Sequence, residues 1–127
     1  MKRNKEYILS KQISDYLSYQ YPKLIFHFDM AGVNLSKAQS GMIKYLQKHR
    51  GYPDLFIVQP TKKSAGLFIE LKEEGQKLYK KDGRTPVSEH VGEQMKMLTL
   101  LRDRGYQATF AIGFDEAKRI IDNYLNE

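Results

Sequence analysis

The residues with the clearest chemical content are two carboxylates and a lysine at the ends of apolar runs. Gly51-Tyr52-Pro53-Asp54 opens the run Leu55-Phe56-Ile57-Val58, and Glu70-Leu71-Lys72 closes the run Gly66-Leu67-Phe68-Ile69. Short apolar runs of this kind read as buried strands, where a charge is costly unless it is paired or bound to a metal. Side chains alternate along a strand, so Glu70 and Lys72 share a face while Leu67, Ile69 and Leu71 point the other way into apolar packing. If the two runs pair antiparallel, the start of one lies beside the end of the other, and Asp54 meets Glu70 and Lys72. Two carboxylates at one point repel unless a cation sits between them. Mg²⁺ suits that position, because it takes few protein carboxylates, keeps several waters and bridges to phosphate oxygens; Mn²⁺ is the expected substitute. Such a set can activate a water for phosphodiester cleavage, with Lys72 orienting the water or stabilising charge on the phosphate. Taken singly, a Glu-x-Lys in a basic chain reads as a surface ion pair and Pro-Asp as a turn. Their order, the strands they bound and a separation that fits one hairpin carry the catalytic reading.

Other residues join by periodicity. Glu6 lies seven positions before Ile13 and eleven before Leu17, on the apolar stripe of a first helix, so it is expected to face inward and reach a metal through water. The alternative, an acid stabilising the first turn of a helix, stays equally open. Gln94 shares the stripe of Val91, Leu98 and Leu101 and could hydrogen-bond a metal-bound water or a phosphate; a polar residue at the stripe's margin is the alternative. Lys77, Lys80, Lys81 and Arg84, with Tyr79 among them, form a basic loop suited to phosphate contact and base stacking, or simply a solvated one. His27, His49 and His90 share no ligand spacing and read as structural or exposed.

These residues need elements to hold them. The pattern predicts a helix over 4–20 that ends before Pro22, a strand over 24–28, a loop over 29–36 containing Gly32 and Asn34, and a short helix from Lys37 to Gln47 capped by Ser36. Strands follow over 54–58 and 66–72. Residues 73–87, with the Asp82-Gly83 turn signal, form an exposed mobile loop or a small hairpin. Thr85 or Ser88 caps a long helix to Arg104, with Pro86 at its start and Gly105 at its end. A strand over 108–112 and a last helix capped by Asp115 complete the order α-β-α-β-β-α-β-α. Gly51 is expected to permit a tight turn that brings backbone close to a ligand.

With 127 residues the chain fits one domain with a real core. It has no cysteine, which excludes disulfides and thiolate metal sites and is compatible with a reducing cytoplasm. Met1-Lys2-Arg3-Asn4-Lys5 is basic, but no apolar stretch follows, so neither a signal peptide nor a membrane span is expected. The net charge of +6 is uneven: residues 1–50 hold nine Lys/Arg against three Asp/Glu, 51–84 seven against five, and 85–127 five against seven. The positive excess thus sits beside the two motifs, as a polyanion-binding surface requires.

On Glu6, Arg50-Gly51-Tyr52-Pro53-Asp54-Leu55, Glu70-Leu71-Lys72, Gln94 and the final β-α unit from Gly105-Tyr106 to Tyr124, the chain resembles the PD-(D/E)xK nuclease superfamily, and within it stand-alone virus-type replication-repair nuclease (VRR-NUC) domains. The resemblance implies a restriction-endonuclease-like α/β fold, a central mixed β-sheet flanked by helices. It implies that Asp54, Glu70 and the Leu71 carbonyl hold the metal, Glu6 through water, with Lys72 the catalytic lysine and Gln94 the polar residue of the following helix. Arg50 joins the basic loop as a nucleic-acid contact. Single-domain members resemble Holliday-junction resolvases and act as homodimers, so branched DNA and a homodimer in the cytoplasm of a bacterial or phage-infected cell are the expectations. Two positions depart from the family pattern: Tyr52 stands where a smaller apolar residue is usual, and the stretch between Lys72 and Gln94 is longer than in many members. Two further readings remain: a DNA-binding or assembly module with a vestigial site, which the intact Asp54, Glu70 and Lys72 argue against, and a nuclease acting on nicked, single-stranded or RNA substrates.

Overall fold

A computed structural model describes residues 2–29 and 36–127. Its elements run α1 (Lys2–Gln20), β1 (Phe26–Phe28), α2 (Lys37–Leu46), β2 (Leu55–Ile57), β3 (Leu67–Lys72), α3 (Glu89–Asp103), β4 (Gln107–Ile112) and α4 (Gly113–Leu125). This is the order expected. The four strands form one sheet in the order β1-β2-β3-β4, antiparallel between β1, β2 and β3 and parallel between β3 and β4. The sheet is therefore mixed, because α3 supplies the crossover that a parallel pair requires.

Strand alternation sorts the core into two layers. Leu55, Ile57, Leu67, Ile69, Leu71 and Ala111 face Leu9, Ile13 and Leu17 of α1 and Ala117, Ile121 and Tyr124 of α4. Phe68 and Ala108 face Leu98 of α3 on the opposite side, with Phe56, Leu101, Tyr106 and Phe110 packed around them. The Tyr16 and Tyr21 hydroxyls both donate to one Asp122 carboxylate oxygen, each at 2.6 Å, and tie the α1 end of the first layer to α4. The crossover helix and the α1–α4 pair thus cover opposite faces, and residues alternating along β3 look in opposite directions.

Local chemistry explains most boundaries. Ser36 caps α2 through a reciprocal capping box with Gln39. Ser88, not Thr85, caps α3 by accepting from the Val91 N–H. Pro86 lies ahead of α3, bridged to Tyr79 across a small hairpin whose turn is pinned by the Asp82 side chain accepting from the Arg84 and Thr85 N–H groups. The stretch over 73–87 therefore opens with a turn closed by the Gln76 N–H donating to the Glu73 carbonyl and continues as a small hairpin over 78–87. Asp115 is not a cap. Helix α4 starts at Gly113, with Ile112 in the cap position, and the Glu116 carboxylate reaches back to accept from the Ile112 N–H. A carboxylate in the first turn has taken over the capping role that Asp115 was expected to play. Most of the loop expected over 29–36 lies outside the described residues.

Candidate active site

Strand register brings the two carboxylates together. Leu55 pairs with Ile69 across β2 and β3, so one further step of the ladder sets Asp54 opposite Glu70. Asp54 sits just outside β2 and is held from two sides. Its carboxylate accepts from the Leu71 N–H at 2.8 Å, and its carbonyl accepts from the Asp29 N–H at 2.7 Å. The first bond aims the side chain across the strand end toward Glu70. Glu70 is only 4% exposed, on the α3 side of the sheet. Lys72 follows it on the same face, half-buried, with its ammonium 5.9 Å from the centre of the Phe110 ring.

The electrostatics of this cluster are dominated by Glu70. Burial holds its carboxyl well above the usual carboxylate range, the neighbouring Asp54 raises it further, and Glu6 adds a smaller push; Lys72 opposes them. Glu70 Oε1 is buried with no hydrogen-bond partner among the described residues. A buried carboxylate oxygen with nothing to accept from, next to a second carboxylate, is an unfavourable arrangement that either a proton or a cation relieves.

Helix α3 closes the site. Gln94 is 4% exposed, as its place on the Val91–Leu98 stripe predicts. Its Nε2 lies 3.2 Å from His90 Nε2 one turn earlier, while its Oε1 is buried and unpartnered among the described residues. His90 is solvent-exposed, yet it touches a site residue. Its position four residues before Gln94 in a helix was the available signal. Gly51 adopts φ +73°, but the close approach it permits is to protein, not to a ligand. A Cβ there would stand 2.7 Å from the Glu93 carbonyl oxygen and 2.9 Å from the Gln94 nitrogen. Gly51 therefore seats the Asp54 loop directly on α3 beside Gln94, and Arg50 adds a loose ion pair to Glu93 at 3.6 Å.

Gly51→Ala should accordingly be among the most disruptive substitutions outside the charged set. The left-handed conformation and the blocked contact together cost about 2–4 kcal/mol if the loop stays in place. If the loop retreats instead, a shift of about 1 Å in Asp54 lowers any reaction at the site by about 10²-fold. Thermal melts and the rate of whatever cleavage the wild type performs separate these two costs. An alanine variant indistinguishable from wild type in both would mean that the seat on α3 is dispensable.

Glu6 departs from expectation. It is exposed, and the buried stripe of α1 starts one turn later at Leu9. The helix reaches back to Lys2, so Glu6 also lies beyond the first turn. Its charge is nevertheless felt at Glu70. Lys77, Tyr79, Lys80, Lys81 and Arg84 are all exposed on the turn and hairpin between β3 and α3, and Arg50 is exposed beside Gly51. His27 and His49 are exposed as well.

The donor set fits Mg²⁺. Among the described residues no three His, Asp or Glu side chains converge as a ready-made multidentate cage, but Mg²⁺ is bound by one or two carboxylates plus waters and does not need one. The unpartnered Glu70 oxygen and the all-oxygen character of Asp54, Glu70 and the Leu71 carbonyl match a hard cation.

No family model matches the chain, and no curated protein matches it. The described fold does match a solved structure, a "VRR_NUC domain protein", with a TM-score of 0.61 and 20% sequence identity over 93% of this chain and 88% of that one. At that identity the likeness is one of architecture, and the architecture of this chain is that of a VRR-NUC domain.

Proposed function

We propose that the chain is a Mg²⁺-dependent endonuclease that hydrolyses phosphodiester bonds in branched DNA and acts as a homodimer. The observation that carries the reading is the meeting of Asp54 and Glu70 at adjoining strand ends, with Lys72 on the Glu70 face and one Glu70 oxygen buried without a partner. The likeness in fold to a VRR-NUC domain protein points the same way. Asp54, Glu70 and the Leu71 carbonyl would hold the ion, with Glu6 contributing through water. Bound there, the ion would supply positive charge to the phosphoryl oxygens as the bond breaks. Lys72 places an ammonium beside Glu70, where it orients the attacking water or neutralises charge developing on the phosphate. Gln94 presents a buried amide oxygen able to accept from that water. Leu71 keeps Asp54 aimed through its N–H, and α3 shields the cluster from bulk solvent on one side.

The substrate reading rests on charge and on symmetry. The exposed hairpin cations and Arg50 supply phosphate contacts. Phosphate contacts carry no sequence information of their own, and recognition by shape is the reading we adopt. A four-way junction offers two related scissile bonds, which a two-fold dimer matches. The test is incubation with Mg²⁺ and labelled four-way junction, flap, splayed arm, nicked duplex, linear duplex, single strand and RNA. Cleavage of the junction, lost in EDTA and regained with Mn²⁺, is expected. Sedimentation should give a dimer, and a supercoiled cruciform should be linearised by paired nicks in one encounter. Preference for linear duplex or RNA would overturn the branched-DNA reading, and undiminished cleavage in excess chelator would overturn the metal.

The hairpin makes a separate prediction. Replacing Lys77, Lys80, Lys81 and Arg84 together by alanine should lower the slope of log K against log salt by about 2–4, roughly one for each phosphate that the protein no longer neutralises. Affinity titrations across a salt series measure it. An unchanged slope would place the hairpin away from the DNA.

A further inference from the structure

Tyr52 is built as a mount for an exposed ring. The residue before it, Gly51, is wedged onto the α3 backbone, and the residue after it, Pro53, is among the fully buried side chains of the fold. Between these two anchors the backbone has little freedom. The ring is fixed in turn: it packs edge-on against Phe68 at 5.7 Å and 80°. Phe68 stacks on Phe56 at 4.2 Å and 9°, and both rings meet the edge of Tyr106. Yet Tyr52 remains 45% exposed. A large aromatic held this rigidly and left half in water has lost its conformational entropy before any partner arrives.

Its place gives it a partner. Two residues of chain span at most about 7 Å, so the ring lies within a nucleotide's reach of Asp54. Arg50, whose side chain is 85% exposed, stands two residues before it. A cation and an aromatic face beside the carboxylate pair are the two elements of a single-strand contact, one for the phosphate and one for the base.

We infer that Tyr52 is a stacking platform for the nucleobase flanking the cleaved phosphate, a base that is unpaired or unstacked from its neighbour at a branch. The inference rests on the endonuclease reading and adds a ligand subsite to it. A duplex base keeps both faces covered by its neighbours and gains nothing from the ring. A base freed at a junction point, flap or single strand has a face to offer. Tyr52 thereby favours cleavage beside an unpaired nucleotide, at a position where a small aliphatic side chain offers no comparable face.

The test uses the chain's lack of tryptophan. Tyr52→Trp carries the protein's only indole, so its emission reports on that site alone. With unlabelled branched DNA in EDTA, that emission should be quenched on binding, and it should be quenched far less by fully paired linear duplex. In parallel, 2-aminopurine placed on either side of the mapped cleavage position should be quenched by wild type and Tyr52→Phe. Tyr52→Leu should fail to quench it, bind about ten-fold more weakly and keep the wild-type salt slope, since stacking releases no counterions. A side chain that merely covers Phe68 would lower the melting temperature when changed to leucine but leave affinity and 2-aminopurine emission as in wild type, and that result overturns the inference. So does a Tyr52→Phe variant that behaves like leucine, because the hydroxyl and not the ring would then touch the DNA. Should the wild type neither bind nor cut any DNA, the endonuclease reading falls and the subsite with it; binding and cutting indifferent to Tyr52 removes the subsite alone.

Discussion

Glu70→Gln, Asp54→Asn and Lys72→Ala are each expected to lower cleavage by about 10³-fold or more, which corresponds to roughly 4 kcal/mol of lost transition-state stabilisation. The two amide variants keep the size and most of the hydrogen-bonding reach of the carboxylates and remove only the charge. Asp54→Asn retains an oxygen able to accept from the Leu71 N–H that now meets Asp54 at 2.8 Å, so the loop stays in register. Loss of activity in a variant that still folds and still binds DNA would isolate the charge as the functional property. Lys72 lies on the Glu70 face without a direct ion pair among the described residues, so its removal breaks no close contact; it does withdraw the charge that offsets the carboxylates, an effect that saturating Mg²⁺ would replace. Single-turnover cleavage under saturating Mg²⁺, with affinity measured separately in EDTA, distinguishes impaired chemistry from impaired binding. Cleavage at the wild-type rate by any one of the three removes that residue from the mechanism.

These three residues are legible because strand chemistry is local. An apolar run of β-forming residues with a charge at its end announces both the strand and the anomaly, and period-two alternation then assigns Glu70 and Lys72 to one face. The register that sets Asp54 opposite Glu70 follows from the burial of Leu55, Ile57, Leu67 and Ile69 on one face, which a slip of one residue would turn out of the core. The parallel pairing of β3 with β4 follows from the helix between them. Gln94 is legible for the matching reason in a helix, since an amide four residues from Leu98 lies on the buried stripe.

Glu6 escapes the pattern because helical periodicity gives direction but not extent. It lies on the correct stripe, yet α1 overhangs the core at that end, and the first side chain to be buried is Leu9. The α4 cap escapes it because Asp115 and Glu116 are adjacent acids of similar propensity, and only the turn at Gly113, with φ +83°, decides which reaches back. Gly51 and Tyr52 owe their roles to long-range packing on α3 and Phe68. Neither approach leaves a periodic trace, so sequence indicates only that a glycine and an unusually large residue stand there. The His90–Gln94 pair has the right spacing, but nothing in the sequence marks one such pair as meaningful among many.

The metal-free protein should lose stability as pH rises through neutrality, and Mg²⁺ should restore it. In the fold Glu70 is pushed up to about 10 from its ordinary 4.5, by burial first and by the charge of Asp54 next. Above pH 4.5 the folded state therefore holds a proton that the unfolded chain has released, so this group's contribution is fully present below 4.5 and is lost as pH climbs toward the folded value. A bound cation reverses the sign. It favours the ionised carboxylate, displaces the proton, and binds only the folded form, so stability rises by mass action. Melting curves in EDTA should fall by several degrees between about pH 6 and about pH 9, and Mg²⁺ should recover roughly 5 °C or more at the upper end. Glu70→Gln supplies the internal control. An amide cannot titrate, so its curve should lack the Glu70 part of the slope, lie above the wild type at alkaline pH without metal, and gain much less from Mg²⁺. Titrating groups remote from the cluster contribute equally to both proteins and cancel in the difference, whereas Asp54, Lys72 and Glu6, which interact with Glu70, do not, so the difference reports on the cluster as a unit. A Glu70→Gln variant less stable than wild type at about pH 8 in EDTA would mean that the carboxylate is ionised and already satisfied, with Lys72 as its partner. The buried oxygen would then need no cation, and the metal site proposed between Asp54 and Glu70 would lose its physical motive.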